Sequence, residues 1–313
     1  MLSQARPRAV LSAILCTFAL TGCGTFDSLI AGESNKPSAR TGLIAQLAGG
    51  DNGARRSLKE RDKQNLERLS DVDDPKVFYE TAARISEQEH DHEAMVRHFA
   101  NLTALEPTNT GYVSGLARSL RIVGRHEDSE RVLRQALRDS PHHANLTEEL
   151  GKTLLASGQL REGATMLEAL ANRPDLPATT VAGLRSAVGV AFDRSGNHKK
   201  ARAQYRAALE ADKLSTATLN NLGMSYTITG ELDLAERALR RALVTPEASV
   251  QVRQNLAMVL ALQGQTEAAK RLANQDLPPT LASDVIASYG SLADDGLFED
   301  ASAPARERQT RRR

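Results

Sequence analysis

Residues 216–249 read TATLNNLGMSYTITGELDLAERALRRALVTPEAS, and this stretch decides the fold. Gly230 divides it into two segments in which apolar residues recur at helical spacing. Gly223 in the first segment and Ala235 in the second are small enough to let two helix backbones approach closely. The stretch therefore predicts two helices that pack against each other and are joined by a glycine turn.

The same pattern recurs on both sides of this stretch. Turn glycines are spaced 34, 38, 34 and 34 residues apart, and a small residue lies seven positions before each of them. One helix pair cannot bury its apolar face alone, so the copies are expected to stack on their neighbours. The turn glycines are Gly124, Gly158, Gly196, Gly230 and Gly264, the small residues are Ala117, Gly151, Gly189, Gly223 and Ala257, and the units start at Lys76, Thr110, Ala144, Ala182, Thr216 and Val250.

Residues 76–283 resemble the tetratricopeptide repeat (TPR) family, whose unit is a 34-residue helix pair. Three features depart from that family. His90 replaces the first turn glycine, four extra residues lie around a predicted loop at Arg173–Pro177, and the chain has no tryptophan. The resemblance implies an all-α TPR solenoid, a right-handed superhelix of about six helix-turn-helix repeats that binds proteins.

The first 22 residues predict a lipoprotein signal peptide. Two arginines precede an apolar run over residues 9–20, which is shorter than the roughly 20 residues that span a bilayer. The run ends in LTGC at residues 20–23, which resembles a bacterial lipobox and implies that Cys23 carries acyl chains. Gly24, in place of aspartate, implies the periplasmic face of the outer membrane of a Gram-negative bacterium. The alternatives are an uncleaved anchor and a cysteine placed there by chance.

Further segments flank the repeats. Residues 23–57, rich in Gly, Ser and Ala, predict a flexible tether, and residues 58–75, with interleaved charges, predict a helix that caps the first repeat. Residues 281–289 predict a last helix that packs on the final repeat. The terminal segment 284–313 contains the end of that helix and an arginine-rich tail that we expect to be disordered.

Composition and motifs do not indicate an enzyme. The formal net charge is +1 and five arginines fall in the tail, so the repeats lack the basic excess of a nucleic-acid-binding domain. No H-E-x-x-H, G-x-S-x-G or P-loop string occurs. His92, His126 and His198 share one turn position in separate repeats, about 10 Å from one repeat to the next, whereas zinc ligands converge to about 2 Å. We therefore expect no cofactor, metal, nucleic acid or small-molecule substrate.

The TPR resemblance also implies a peptide-binding groove. In TPR superhelices the first helix of each pair lines the concave groove. Here those positions are charged in the early units and apolar or amide-bearing in the later ones, which suits an extended peptide. The early candidates are Arg84, Arg118, Arg121 and Lys152, with Glu87 and Glu148, and the later ones are Asn220, Met224, Thr227, Gln254, Met258 and Ala261. For the two methionines, packing beneath the terminal helix is an equal alternative.

The order of lipobox and TPR array is similar to the tight-adherence (Tad/Flp) pilus-assembly lipoproteins of the TadD type, and more loosely to type IV pilus pilotins. The resemblance implies a lipid-anchored periplasmic scaffold that helps a secretin ring assemble. Two alternatives stay open. One is an adaptor for peptidoglycan or other envelope enzymes, and the other is a subunit of an outer-membrane protein insertion machine.

Overall fold

A computed structural model describes residues 74–245 and 247–294, which contain thirteen helices and no strand. The helices form successive pairs, followed by one last helix. Their bounds are α1 Pro75–Gln88, α2 His92–Leu105, α3 Thr110–Ile122, α4 His126–Asp139, α5 Ala144–Ala156, α6 Leu160–Ala171, α7 Ala178–Arg194, α8 His198–Ala211, α9 Thr216–Ile228, α10 Leu232–Leu243, α11 Val250–Leu262, α12 Thr266–Ala273 and α13 Pro279–Asp294. The predicted all-α fold of repeated helix pairs is confirmed.

The turn inside each pair closes the first helix in the same way. Gly124 follows α3 with φ +81°, a left-handed conformation that glycine adopts without steric cost. Its N–H donates to the carbonyl of Arg121 at 3.2 Å, and the N–H of Arg125 donates to that of Leu120 at 2.8 Å. These two bonds form a Schellman motif, which satisfies the last carbonyls of the helix. The predicted glycine turns thus have a backbone reason for their fixed position.

Polar side chains begin several of the helices. Asp91 Oδ1 accepts a hydrogen bond from the N–H of Ala94 at 2.9 Å at the start of α2. Asn109 and Ser215 cap α3 and α9 through their side-chain oxygens. A cap of this kind stabilises a helix by about 1 kcal/mol. The boundaries of these helices are therefore encoded locally.

The described residues belong to two compact units, 74–170 and 171–294. In unit 74–170 the core joins α2, α3, α4 and α5, and Leu116, Leu120, Leu133 and Leu150 lie in it. In unit 171–294 the core runs from α8 to α13, where Ile286 is buried. The predicted last helix therefore exists and packs on α11 and α12.

The extra four residues of the third repeat lie in a helix. Residues 172–177 are non-helical, as the two prolines predict, but α7 begins at Ala178, which is 34 residues after Ala144. The repeat start predicted at Ala182 is thus four residues too late, because α7 has 17 residues where α5 has 13. Four residues make about one helical turn, so the added turn leaves the later faces of α7 in phase.

Candidate partner-binding surface

Opposite charges meet on the first helices α3 and α5 of unit 74–170. Arg121 Nη2 donates to Oε2 of the buried Glu149 at 3.2 Å, and Arg118 Nε lies 3.8 Å from Glu149 Oε1. Lys152 Nζ lies 2.6 Å from Glu148 Oε1 and 3.9 Å from Glu149 Oε1. These five residues form the α3–α5 cluster, in which three cations face two carboxylates. It can bind a group with one negative charge without losing its internal pairs.

Two polar atoms on the same face of α3 remain without a hydrogen-bond partner. Arg121 Nε and Ser114 Oγ are buried and unpaired. Ser114, Arg118 and Arg121 are spaced by four and three residues, so they lie on one face of the helix. An unpaired buried polar atom costs about 1–3 kcal/mol. A partner that supplies a hydrogen-bonding group here would recover part of that cost.

The sequence analysis missed Glu149, which is the centre of the cluster. Its burial comes from cations on α3 that lie 28 and 31 residues earlier. Spacing within one helix does not reveal such a partner. The one available signal was a charged residue directly beside the core position Leu150.

Arg84 and Glu87, the earliest candidates, are exposed on α1. The predicted groove residues of unit 74–170 thus remain at the surface or partly so, with Lys152 and Arg121 at intermediate exposure. Arginine and lysine at such positions can keep their charged ends in water while their stems cover apolar neighbours. This surface is available to a partner without rearrangement of the core.

In unit 171–294 the predicted groove residues are mostly buried. Met224 and Met258 belong to the hydrophobic core, which also contains Ala282 and Ile286 of α13. Thr227 is buried and donates its hydroxyl hydrogen bond to the carbonyl of Gly223 at 2.9 Å. The methionines therefore act as core side chains in this structure, as the packing alternative expected.

The remaining candidates of this unit differ among themselves. Asn220 is buried and accepts a hydrogen bond from Asn255 Nδ2 at 2.8 Å, so its amide links α9 to α11. Ala261 is also buried, whereas Gln254 is exposed on α11. Of the later candidates, Gln254 is the one whose side chain can meet a partner directly.

A buried carboxylate that sequence reasoning had not assigned any role connects three helices of unit 171–294. Asp193 on α7 accepts hydrogen bonds from the Ser225 hydroxyl at 2.8 Å and the Tyr205 hydroxyl at 3.0 Å. His198 Nδ1 also lies 2.8 Å from Asp193 Oδ1. Because every contact serves to join α7, α8 and α9, this network supports the packing of two repeats.

The turn histidines do not form a metal site in the part of the chain that the structure describes. His92, His126 and His198 are the first residues of α2, α4 and α8. Among residues 74–245 and 247–294, no three His, Cys, Asp or Glu side chains come together in a ligand arrangement. His90 instead has a backbone role, since it occupies the left-handed turn position with φ 57°.

The segments predicted to anchor the protein lie outside the described residues. These are the signal peptide 1–22, Cys23, the tether to residue 57, most of the capping helix 58–75, and the tail from residue 295. Within the described ranges, no helix combines the length and apolar character needed to cross a bilayer.

Comparison with known proteins identifies the repeat. Residues 115–177 and 189–252 match one sequence description of the tetratricopeptide repeat, and residues 250–275 match another. The chain belongs to the tetratricopeptide-repeat family. The matched segments include α3 to α5 and α9 to α11, the helices that carry most candidate groove residues. Among curated proteins, no relative matches the chain.

Solved structures share this fold. The protein of the study "Functional Characterization of Pseudomonas Aeruginosa pilF" superposes with a TM-score of 0.53 at 11% identity, over 68% of this TPR chain and 97% of the other. The APC/C hetero-tetramer Cut9–Hcn1 gives a TM-score of 0.58 at 18% identity, over 80% of this chain and 48% of the other. A thermophilic TPR protein of Thermus thermophilus gives 0.47 at 21% identity, over 56% and 96%. At these identities the similarity concerns the fold alone.

Proposed function

We propose that this TPR protein is a non-catalytic scaffold, anchored by acylated Cys23 to the periplasmic face of the outer membrane, that binds a protein of a pilus secretion system. A TPR fold is suited to protein–protein interaction. The observation that carries the proposal is the α3–α5 cluster, a polar surface with one excess positive charge and an unpaired buried donor on Arg121. The lipobox at residues 20–23 supports the location.

The partner proposed is a secretin or another component of a Tad/Flp-type pilus, for which the protein would act as an assembly factor. This choice rests on the similarity of motif order to the pilus-assembly lipoproteins. The fold by itself does not distinguish it from the two other roles, since one fold hosts many functions. The test must therefore report which protein is bound.

Site-specific photocrosslinking in the native bacterium provides that test. A photoreactive residue at Arg84 or Arg118 is expected to capture a secretin subunit or a neighbouring pilus component. Capture of a peptidoglycan synthase or hydrolase would replace the pilus role with the adaptor role. Capture of an outer-membrane insertion machine, with loss of many porins on deletion, would replace it with the insertion role.

Charge reversal tests whether the α3–α5 cluster is the binding surface. Arg118→Glu places a carboxylate beside Glu149, and the expected result is loss of the crosslinked complex while the helical content stays constant. Arg131→Glu is the matched control, because Arg131 is a similarly exposed arginine on the second helix α4. Equal capture by both variants would exclude the cluster as the binding surface.

The anchor is tested separately by mass spectrometry of the mature N-terminus. Acyl chains on Cys23 are expected, as in the lipoproteins that the lipobox resembles. An unmodified Cys23, or cleavage at another bond, would exclude the lipid anchor and leave the protein-binding role to stand on the repeats alone.

A further inference from the structure

Four large apolar side chains of unit 171–294 are exposed, and all four lie where one repeat passes to the next. Leu214 is 63% exposed in the loop before α9, and Val244 is 81% exposed after α10. Val250 is 45% exposed at the start of α11, and Leu281 is 47% exposed in the first turn of α13. We call these four residues the apolar loop edge.

Hydrogen bonds show that the loops of this edge are neighbours. The Thr216 hydroxyl at the start of α9 is hydrogen-bonded to the Thr245 hydroxyl at 2.5 Å and lies 3.3 Å from Glu247 Oε2. Arg253 Nε, one turn into α11, donates to Asp276 Oδ2 at 2.8 Å. The loop before α9 therefore touches the loop before α11, which in turn touches the loop before α13. The four apolar side chains belong to one continuous edge.

The opposite edge of the same unit is different. It contains the turns within the repeats, where Gly196, Gly230 and Gly264 close the first helices. Exposed residues there are polar, as at Asn197 and Gln265. The contrast between the two edges shows that the apolar side chains are not scattered evenly over the surface of the unit.

Cations accompany the apolar side chains. Lys213 precedes Leu214, and Arg241 lies in the last turn of α10, near Val244; both are exposed. The carboxylates of Asp212 and Glu247 accept hydrogen bonds within this edge. Lysine and arginine beside aliphatic side chains suit a phospholipid surface, since the aliphatic groups can enter the acyl boundary while the cations reach phosphates.

The predicted tether keeps a lipid surface within reach of this edge. Fifty-one residues separate Cys23 from Asp74. A flexible chain of that length has an end-to-end distance of about 40 Å, so a weak contact with the bilayer becomes effectively intramolecular. A row of protruding single side chains matches a flat surface better than it matches a peptide, which requires a cleft.

We propose that the apolar loop edge contacts the phospholipid surface of the membrane in which Cys23 is anchored. This proposal rests on the proposed acylation. The contact would hold unit 171–294 against the bilayer, where its loops meet lipid.

A lipid-depth measurement on the acylated full-length mature protein tests the contact. Acylated Cys23 carries no free thiol and Cys16 lies in the predicted signal peptide, so Val244→Cys introduces a single site for an environment-sensitive fluorophore. The labelled protein is reconstituted in vesicles of phosphatidylethanolamine and phosphatidylglycerol that include brominated acyl chains. Quenching and a blue shift are expected at Val244→Cys. Neither is expected at Gln265→Cys, the matched position on the opposite edge.

A second substitution separates lipid contact from simple proximity. Leu214→Glu in the Val244→Cys protein is expected to abolish the quenching, whereas Leu214→Ile is expected to retain it. Equal quenching at residues 244 and 265 in acylated protein would overturn the contact while the anchor stands. Absence of acyl chains on Cys23 would overturn the contact and the anchor together, and mass spectrometry of the same sample distinguishes the two outcomes.

Discussion

His90 is a single residue whose backbone conformation differs from what its side chain favours. It occupies the turn position that glycine takes in five other repeats, and its φ of 57° lies in the left-handed region. The N–H of His90 and that of Asp91 still make the Schellman bonds to Glu87 and Ser86, at 3.2 and 2.9 Å. The fold therefore imposes the conformation on a residue with a Cβ, at a conformational cost.

The substitution His90→Gly is expected to stabilise the protein by about 1 kcal/mol, since an L-residue pays about 1–2 kcal/mol in the left-handed region and glycine loses part of that gain through its larger unfolded-state entropy. Gly124→Ala is the reciprocal control. It is expected to destabilise by about 1 kcal/mol through the same conformational term, because an added Cβ there would have no atom within 4 Å. Urea denaturation measures both; a destabilised His90→Gly would show that the imidazole has a stabilising contact.

His98 makes stability depend on pH. Its side chain on α2 is 6% exposed, and its Nδ1 has no hydrogen-bond partner. Burial, with a smaller contribution from Arg97, lowers the pKa of His98 from 6.5 to about 4, so the folded state favours the neutral imidazole. Its contribution is fully present above pH 6.5 and is lost as the pH falls to 4, by about 3 kcal/mol in total.

The measurement is the difference in free energy of unfolding between the wild-type protein and His98→Leu, followed by urea denaturation from pH 7.5 to 4. Leucine cannot titrate, so the difference should shift in favour of the variant as the pH falls below 6.5. Comparing the two proteins cancels the carboxylates that titrate in the same range. A difference that stays constant with pH would contradict the buried neutral imidazole.

At the residue scale, the sequence could place side chains on a helix face but could not show what covers that face. Met224 and Met258 fall at the expected positions of α9 and α11, yet they are buried in the core. Glu149 is buried because of arginines on another helix, so its local sequence contains no equivalent signal. Burial depends on contacts between repeats, and a helical period reports contacts within one helix.

Helix α7 shows which parts of an element the sequence determines. The small residue Gly189 and the turn glycine Gly196 gave the correct phase for its C-terminal half, where packing requires them. The start of the helix was wrong by one turn. An added turn at the N-terminal end preserves the phase of everything after it, so the period of small residues contains no information on where the helix begins.

Two glycines of α7 predict opposite effects of the same substitution. An added Cβ at Gly189 would lie 2.5 Å from Cε1 of Tyr205, whose hydroxyl is held by Asp193, and Gly189→Ala is therefore expected to cost about 1–3 kcal/mol. An added Cβ at Gly183 would meet nothing within 4 Å, so Gly183→Ala is expected to stabilise α7 by roughly 0.5–1 kcal/mol. Thermal unfolding measures both. Equal effects of the two substitutions would contradict the close crossing of α7 and α8.

At the scale of the whole molecule, the repeat period predicted the helix pairs and the last helix because every copy carries the same packing requirement. The period contains no information on a partner. The anchor prediction depends on a different part of the chain, residues 1–23, and the two inferences are independent. The proposed scaffold needs both, since the repeats supply the binding surface and Cys23 supplies the location.

The last helix is where stacking ends, and it tests how far stability spreads through the molecule. Ile286 on α13 is 1% exposed and belongs to the core of α8 to α13, so Ile286→Ala is expected to cost about 2–4 kcal/mol. Leu281→Ala, in the exposed first turn of the same helix, is the control and should have little effect. Repeats stabilise one another mainly through nearest-neighbour contacts. Hydrogen exchange of Ile286→Ala should therefore accelerate in α11 and α12 and stay unchanged in α3 and α4; a uniform acceleration would show that both units unfold as one.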